Sequence, residues 1–332
     1  MMYSDAITDV PGVKVGHAQD FDAMTGVTAV LTESGAVGGI DIRGTAAGTR
    51  QVDSLSPLHV AGVVHAVTFS GGSAFGLSAS GGVMKYLEEK EIGIDVFYVK
   101  VPIVPSAIIF DLGIGNPKVR PDEEMGYRAA VSAKGGPVAQ GSVGAGTGAS
   151  VGKLNTTAFA MKSGVGTASE SFRPKGGAGE VVVGALVVVN AFGDVLDPKT
   201  GEIMAGARDP ENPDRLINTS KMLREGVDRN MPPGQNTTLA VLATNAAIDK
   251  QGAIKMSQMA QTSLGKVISP FHSTFDGDVA ITLSVKGGGG SVGVNTLGML
   301  GEIALLKAVE RAIITADGRG IIPSYSDLNG EK

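Results

Sequence analysis

Residues 232–238 read Pro-Pro-Gly-Gln-Asn-Thr-Thr and run straight into the apolar segment 239–243. A turn-forming cluster thus delivers two adjacent hydroxyls to the start of a strand. A backbone cut between Asn236 and Thr237 would make Thr237 a new N-terminus. Its hydroxyl would be a nucleophile, and its α-amine, ordinarily titrating near ~8, a base only a few atoms away. The same letters also fit a plain turn-to-strand boundary and the Asn-x-Thr glycosylation acceptor.

Other segments carry polar groups that such chemistry would need. Residues 271–278 read Phe-His-Ser-Thr-Phe-Asp-Gly-Asp. If extended, they place Thr274 and Asp276 on one face, a hydroxyl and a carboxylate able to orient an amine or relay a proton. An ordinary Asp-Gly-Asp turn reads equally well. Asn190 closes an apolar run, where a buried amide needs partners and is also a donor for an oxyanion. The loop 144–153 resembles a phosphate loop but lacks its spacing, since Thr147 and Leu154 stand where that motif needs Gly and Ser or Thr. The dinucleotide fingerprint fails too. The loop instead suits close backbone approach to a ligand or nucleophile. Lys153 at its end reads either as a buried cation that tunes nearby groups or as a solvated lysine.

Gly71-Gly72-Ser73-Ala74-Phe75-Gly76 resembles a nucleophile elbow, but Phe75 occupies the place of its second glycine. A serine α/β-hydrolase with Ser73 as nucleophile and His272 as base is therefore an alternative reading. A helix start that exposes backbone N–H groups is the simpler one. The four histidines, His17, His59, His65 and His272, show no metal-ligand spacing. His59 and His65 would share a strand face but lie too far apart to chelate. No metal and no cofactor are expected.

Strand-like and helix-like segments alternate around these residues. Residues 59–69, 180–190, 237–244 and 279–285 read as strands. The run 180–190 is apolar on both faces, as in a strand covered on both sides. Residues 73–91, 121–133, 249–267 and 297–315 read as helices, with Asp122, Glu123 and Glu124 suited to the positive end of a helix dipole. The polar stretch 197–235, rich in proline, reads as an exposed connection that would let chain ends part after a cut, or simply as a long surface loop. Together these elements predict a single layered α/β unit.

Composition narrows the function classes. The 332 residues are 42% hydrophobic and 18% charged, and 49 are glycine. A sizeable core is affordable, and the glycines imply tight turns and close backbone packing. A net charge of −5 gives no reason to expect nucleic acid or an anionic membrane as partner. The absence of cysteine excludes thiol nucleophiles and disulfides. The first 16 residues lack a signal-peptide pattern, and no apolar run reaches the roughly 20 residues of a membrane span. A cytoplasmic location is the expectation.

In order along the chain, Ile7-Thr8-Asp9-Val10-Pro11-Gly12-Val13-Lys14-Val15-Gly16, Ser70 to Leu77, Val104 to Asp111, 144–153, Asn236-Thr237-Thr238 and Asp276-Gly277-Asp278 resemble the self-processing aminopeptidase and amidase family. That family includes L-aminopeptidase/D-Ala-esterase/amidases, β-peptidyl aminopeptidases and nylon-oligomer hydrolases. The resemblance implies a four-layer αββα sandwich of the N-terminal-nucleophile type. It implies cleavage into residues 1–236 and 237–332, with Thr237 as nucleophile and Thr238 as the lesser choice. It further implies Asn190 as oxyanion donor, Thr274 and Asp276 as the groups beside the nucleophile, and Lys153 as the lysine of the nylon-hydrolase branch. That branch carries aspartate where this chain has Thr274. Phe110 stands at an aromatic substrate-side position, with Gly146 and Thr147 on the substrate-side loop. The implied activity is hydrolysis of short peptides, amino-acid amides or 6-aminohexanoate oligomers, in a homo-oligomer of four or more chains. The alternatives are acyl transfer of the ornithine acetyltransferase type and a non-processing binding protein on the same scaffold.

Overall fold

A computed structural model describes residues 3–175, 179–227 and 234–330. Pro232 and Pro233 of the turn cluster lie outside the described residues. The strands that position the site are β1 (Lys14–Asp20), β2 (Thr25–Ile42), β3 (Val64–Ser70), β4 (Ser106–Ile108), β5 (Val165–Phe172), β6 (Val181–Asn190), β7 (Thr237–Thr244) and β8 (Val279–Val285). Their helices are α1 (Ala79–Glu89), α2 (Glu123–Val131), α3 (Lys250–Leu264) and α4 (Val294–Ile314).

Alternation along β6 explains the layers. Val183, Ala185, Val187 and Val189 enter one core, shared with Met256, Leu264, Leu305 and Val309 of α3 and α4. Val182, Leu186 and Val188 enter a second core, shared with Val67, Phe69 and Ile109. Both faces of the strand are covered, so both are apolar. The first layer runs β5–β6–β7–β8 and ends on residues 36–42 of β2. The second joins β1, residues 25–31 of β2, β3 and β4. The long β2 passes from one layer to the other where its pairing shifts between Leu31 and Ala36. Gly35 permits the bend with φ +82°. On the outside of the second layer, Val83 and Leu87 of α1 and Met125 and Ala129 of α2 form a third core. The stack is helix, sheet, sheet, helix, the αββα sandwich expected from the resemblance.

Local chemistry fixes the helices. The Asp122 side chain accepts from Met125 N at 2.9 Å and opens α2, with Glu123 and Glu124 in its first turn. Asp249 caps α3 through Gly252 N at 2.8 Å. The α1–α2 crossing is so close that a Cβ on Gly126 would stand 1.8 Å from the Ala79 carbonyl oxygen.

Three sequence readings change. Residues 59–63 are loop: His59 N donates to Ser56 O in a turn, while His65 sits in β3 and accepts from Ile103 N. The two histidines share no strand face. Residues 73–78 form a 3-10 turn rather than α-helix, after Gly72 and Ser73 adopt positive φ. The described part of 197–235 is more than an exposed loop. It contains strand Ile203–Ala205 and helix Thr219–Arg224, and the buried Asp194 carboxylate accepts from Ala207 N, Thr219 N and the Thr219 hydroxyl.

Candidate active site

The site gathers at one end of the first layer. Asn190 is the last residue of β6 and Thr237 the first of β7, and the two are Cα partners in the antiparallel ladder. Immediately before β7, Asn236 bridges in parallel to Asp276, which precedes β8. The ends of three neighbouring interior strands thus bring together residues that are far apart in sequence.

Thr237 is buried, and its hydroxyl donates to the Asn236 carbonyl oxygen at 2.5 Å. The hydroxyl therefore lies against the Asn236–Thr237 peptide bond. Gly277 N donates to the same oxygen at 2.9 Å. The Thr238 hydroxyl is buried without a hydrogen-bond partner among the described residues, and Thr238 N donates to Asp278 Oδ1 at 2.7 Å. Geometry favours Thr237 over its neighbour.

Asn190 is clamped. Its Oδ1 accepts from Lys153 Nζ at 2.6 Å and Ser150 N at 3.1 Å. Its Nδ2 donates to Phe110 O at 3.1 Å. With Oδ1 committed to donors, the amide orientation is determined and the NH₂ faces the opposite way. Lys153 is a buried cation, not a solvated one; it also donates to Asn190 O at 3.1 Å and reaches Gln235 O at 3.5 Å.

Asp276 is buried. Oδ1 accepts from Phe192 N at 3.0 Å, and Oδ2 accepts from Ser273 N and the Ser273 hydroxyl. Burial, then the nearby Asp278 charge, push its pKa up to about 6. Asp278 in turn accepts from His272 Nδ1 at 3.0 Å.

Several expected roles move. Residues 273–276 form a turn, so Thr274 points to solvent and is exposed, and the hydroxyl on Asp276 belongs to Ser273. Gly146 and Thr147 are buried inside the loop and do not form an open substrate wall. The Thr147 hydroxyl donates to Gly144 O, and Gly146 O accepts from Lys162. Phe110 enters the site through its carbonyl. The Ser73 and His272 alternative fails, because the fold is an αββα sandwich rather than an α/β-hydrolase, and the His272 Nε2 that would have to serve Ser73 has no hydrogen-bond partner among the described residues.

Sequence reasoning missed Ser273, Asp278 and two buried charges behind the loop. Lys162 Nζ donates to Gly146 O and Ala149 O, each at 2.9 Å, and to Ser163 O. Burial lowers its pKa to about 7, with Asp111 acting the other way. Asp111 accepts from the Thr25 hydroxyl and Gly72 N, each at 2.7 Å, and burial raises it to about 6. Asp278 was visible in the Asp-Gly-Asp turn. Nothing local to Lys162 or Asp111 marked them.

A buried threonine at a strand start, lying on its own preceding carbonyl within an αββα sandwich, defines an N-terminal-nucleophile hydrolase. The chain belongs to peptidase family S58, whose model matches residues 5–317, and it is an enzyme that hydrolyses amide bonds. It is similar to an uncharacterized aminopeptidase of Mycobacterium leprae (strain TN), 35% identical over 98% of this chain and 94% of that protein. It is also similar to the 6-aminohexanoate-oligomer endohydrolase of Kocuria sp. (strain KY2), 29% identical over 83% of this chain and 74% of that protein. The fold matches the L-aminopeptidase D-Ala-esterase/amidase of Ochrobactrum anthropi, with TM-score 0.70, 18% identity and coverage of 95% of this chain and 87% of that one. It matches the Burkholderia sp. β-aminopeptidase as well, with TM-score 0.67, 21% identity and coverage of 98% and 92%. Among the described residues no helix is long and apolar enough to cross a membrane.

Proposed function

We propose that the chain cuts itself between Asn236 and Thr237 into residues 1–236 and 237–332, and that the mature protein is an aminopeptidase of short peptides or amino-acid amides. The observation that carries this reading is the Thr237 hydroxyl 2.5 Å from the Asn236 carbonyl oxygen. In the cut, Thr237 Oγ attacks the Asn236 carbonyl carbon. The C–N bond breaks, the hydroxyl proton ends on the departing nitrogen, and an ester joins the two chains. Water hydrolyses that ester to an Asn236 carboxylate and a free Thr237 hydroxyl.

In the mature enzyme the Thr237 α-amine takes the hydroxyl proton and the oxygen attacks the substrate amide. Asn190, its amide orientation set by Lys153 and Ser150 and one Nδ2 proton held by Phe110 O, offers its second Nδ2 proton to the oxyanion of the bound substrate. Asp276, held by Ser273 and Phe192 N, accepts from the new amine and keeps it oriented. The leaving amine takes the proton, and water then clears the acyl-enzyme.

The mycobacterial relative supports aminopeptidase as the first reading, at 35% identity against 29% for the endohydrolase. The buried Lys153 beside Asn190 favours 6-aminohexanoate oligomers as the second. We also propose a cytoplasmic homo-oligomer of four or more chains; the exposed apolar side chains of Leu58, Val60, Phe97 and Tyr98 support association between copies. Denaturing mass spectrometry together with a panel of L-amino-acid amides, D-alanine amides, β-dipeptides and aminohexanoate oligomers tests the proposal. An intact chain that hydrolyses the panel refutes it.

A further inference from the structure

Self-cleavage needs a donor for the oxyanion that forms on the Asn236 carbonyl. Asn190 is poorly placed to be that donor. Its Nδ2 is engaged with Phe110 O, and its ladder partner is Thr237, not Asn236. Gly277 N already donates to the Asn236 oxygen at 2.9 Å, on the same atom that the Thr237 hydroxyl touches.

Two features hold that N–H in place. The Asn236–Asp276 bridge continues the parallel pairing of β7 with β8 up to the scissile bond. On either side, the Asp276 carboxylate is tied to Phe192 N, and Asp278 is tied to Thr238 N. The turn between the two aspartates is therefore fixed at both ends. Glycine is also required there: a Cβ on Gly277 would stand 2.6 Å from Ala46 O and 2.9 Å from Thr237 Oγ1.

We infer that the Gly277 N–H is the oxyanion donor of self-cleavage, and that the mature enzyme inherits it for the acyl oxygen of its substrate. The inference rests on the proposed cut before Thr237. As Thr237 Oγ attacks, the carbonyl π electrons move to the Asn236 oxygen, and the hydrogen bond from Gly277 strengthens with that charge. When the electrons return, the C–N bond breaks and the nitrogen takes the hydroxyl proton. Hydrolysis converts Asn236 into a carboxylate that can withdraw. The N–H then faces the position beside Thr237 Oγ where the next carbonyl must bind.

Gly277→Ala is an unsuitable test, because the added methyl meets the nucleophile itself. The test is an amide-to-ester replacement, Gly277→glycolate, which removes the N–H and keeps the chain geometry. The same replacement at Ile281, deeper in the β7–β8 ladder, is the control. Cleavage is followed by intact mass. The expected result is self-cleavage slowed about 10²–10³-fold at Gly277, the loss typical of one oxyanion donor, and within a few-fold of wild type at Ile281. A wild-type rate for the Gly277 ester overturns the inference and leaves the proposed cut standing. A wild-type chain that never cleaves overturns both.

On long incubation the matured fraction of the Gly277 ester should turn over substrate with kcat lowered by a similar factor and KM within about 3-fold. Unchanged kcat overturns the claim of inheritance. If the ester protein lacks the wild-type circular dichroism, the folded Thr237→Ala protein decides by NMR. A scalar coupling across the hydrogen bond from Gly277 nitrogen to the Asn236 carbonyl carbon is expected, and its absence overturns the inference.

Discussion

The Lys153 ammonium donates to both oxygens of Asn190, at 2.6 Å to the side chain and 3.1 Å to the backbone. One buried cation thus fixes the amide plane and the end of β6 together. Lys153→Met would leave Oδ1 with the Ser150 N–H alone among the two donors described above and let the amide turn over. We expect kcat to fall about 10²-fold with KM changed little, the pattern for a group that acts through a transition-state donor. Lys153→Arg should not rescue, because the pocket is buried and the larger guanidinium does not fit a point-charge site. Steady-state kinetics on an amino-acid amide measures both.

Thr237→Ala should remain one intact chain of 33.6 kDa and lose on the order of 10⁴-fold or more in activity, as expected for removal of a nucleophile. Thr238→Ala should still cleave, because its hydroxyl has no hydrogen-bond partner among the described residues. Intact mass after purification separates the two. A cleaved Thr237→Ala protein would place the nucleophile elsewhere.

Ser273 and Thr274 make opposite predictions. Ser273 donates to Asp276 through both its hydroxyl and its backbone, whereas Thr274 faces solvent. Ser273→Ala should slow self-cleavage about 10-fold by freeing the carboxylate, the scale of losing one hydrogen bond to a charged group. Thr274→Ala should stay within about 2-fold of wild type, as is usual for an exposed side chain. The reverse order in a cleavage time course would restore the role the sequence implied for Thr274.

The partners of Asp276, namely Phe192 N and the Ser273 N–H and hydroxyl, all donate. The working form is therefore the ionised one. The ionised carboxylate anchors the turn that aims Gly277 N at the Asn236 oxygen, so with its pKa raised to about 6 the self-cleavage rate should rise with pH below 6 and level off above it. Self-cleavage is the cleaner probe, since no Thr237 amine exists yet to titrate. Asp276→Asn should be slow and lack this limb. A flat wild-type profile between pH 4.5 and 7 would contradict the assignment.

Lys162 gives a stability test. Its pKa is lowered in the fold to about 7 from 10.5. Between those values the unfolded chain binds the proton that the folded chain has lost, so stability rises with pH across that window. Urea unfolding of uncleaved Thr237→Ala protein should show higher stability at pH 9.5 than at 7.5. Adding Lys162→Met should shrink that rise while lowering stability at both values, because the buried carbonyls of Gly146, Ala149 and Ser163 lose the nitrogen that serves them. An unchanged slope would mean that Lys162 keeps an ordinary pKa.

By itself the sequence determined the strands and the order of the reacting segments. The valine run of β6 and the apolar start of β7 follow from residue type alone, because a strand covered on both faces tolerates few polar side chains. Thr237, Asn190 and Asp276 were legible because each ends or begins such a run at a polar residue. Only the tertiary structure decided which groups meet there. A two-residue spacing puts Thr274 beside Asp276 in an extended chain, but residues 273–276 turn, and Ser273 takes its place. Lys162 and Asp111 are buried ionisable groups satisfied by backbone and hydroxyl partners, and no local pattern reveals a partner contributed by another loop. Gly277 was visible as a turn residue. That its N–H reaches the Asn236 oxygen depends on the register between β7 and β8, which long-range pairing sets and local propensity does not.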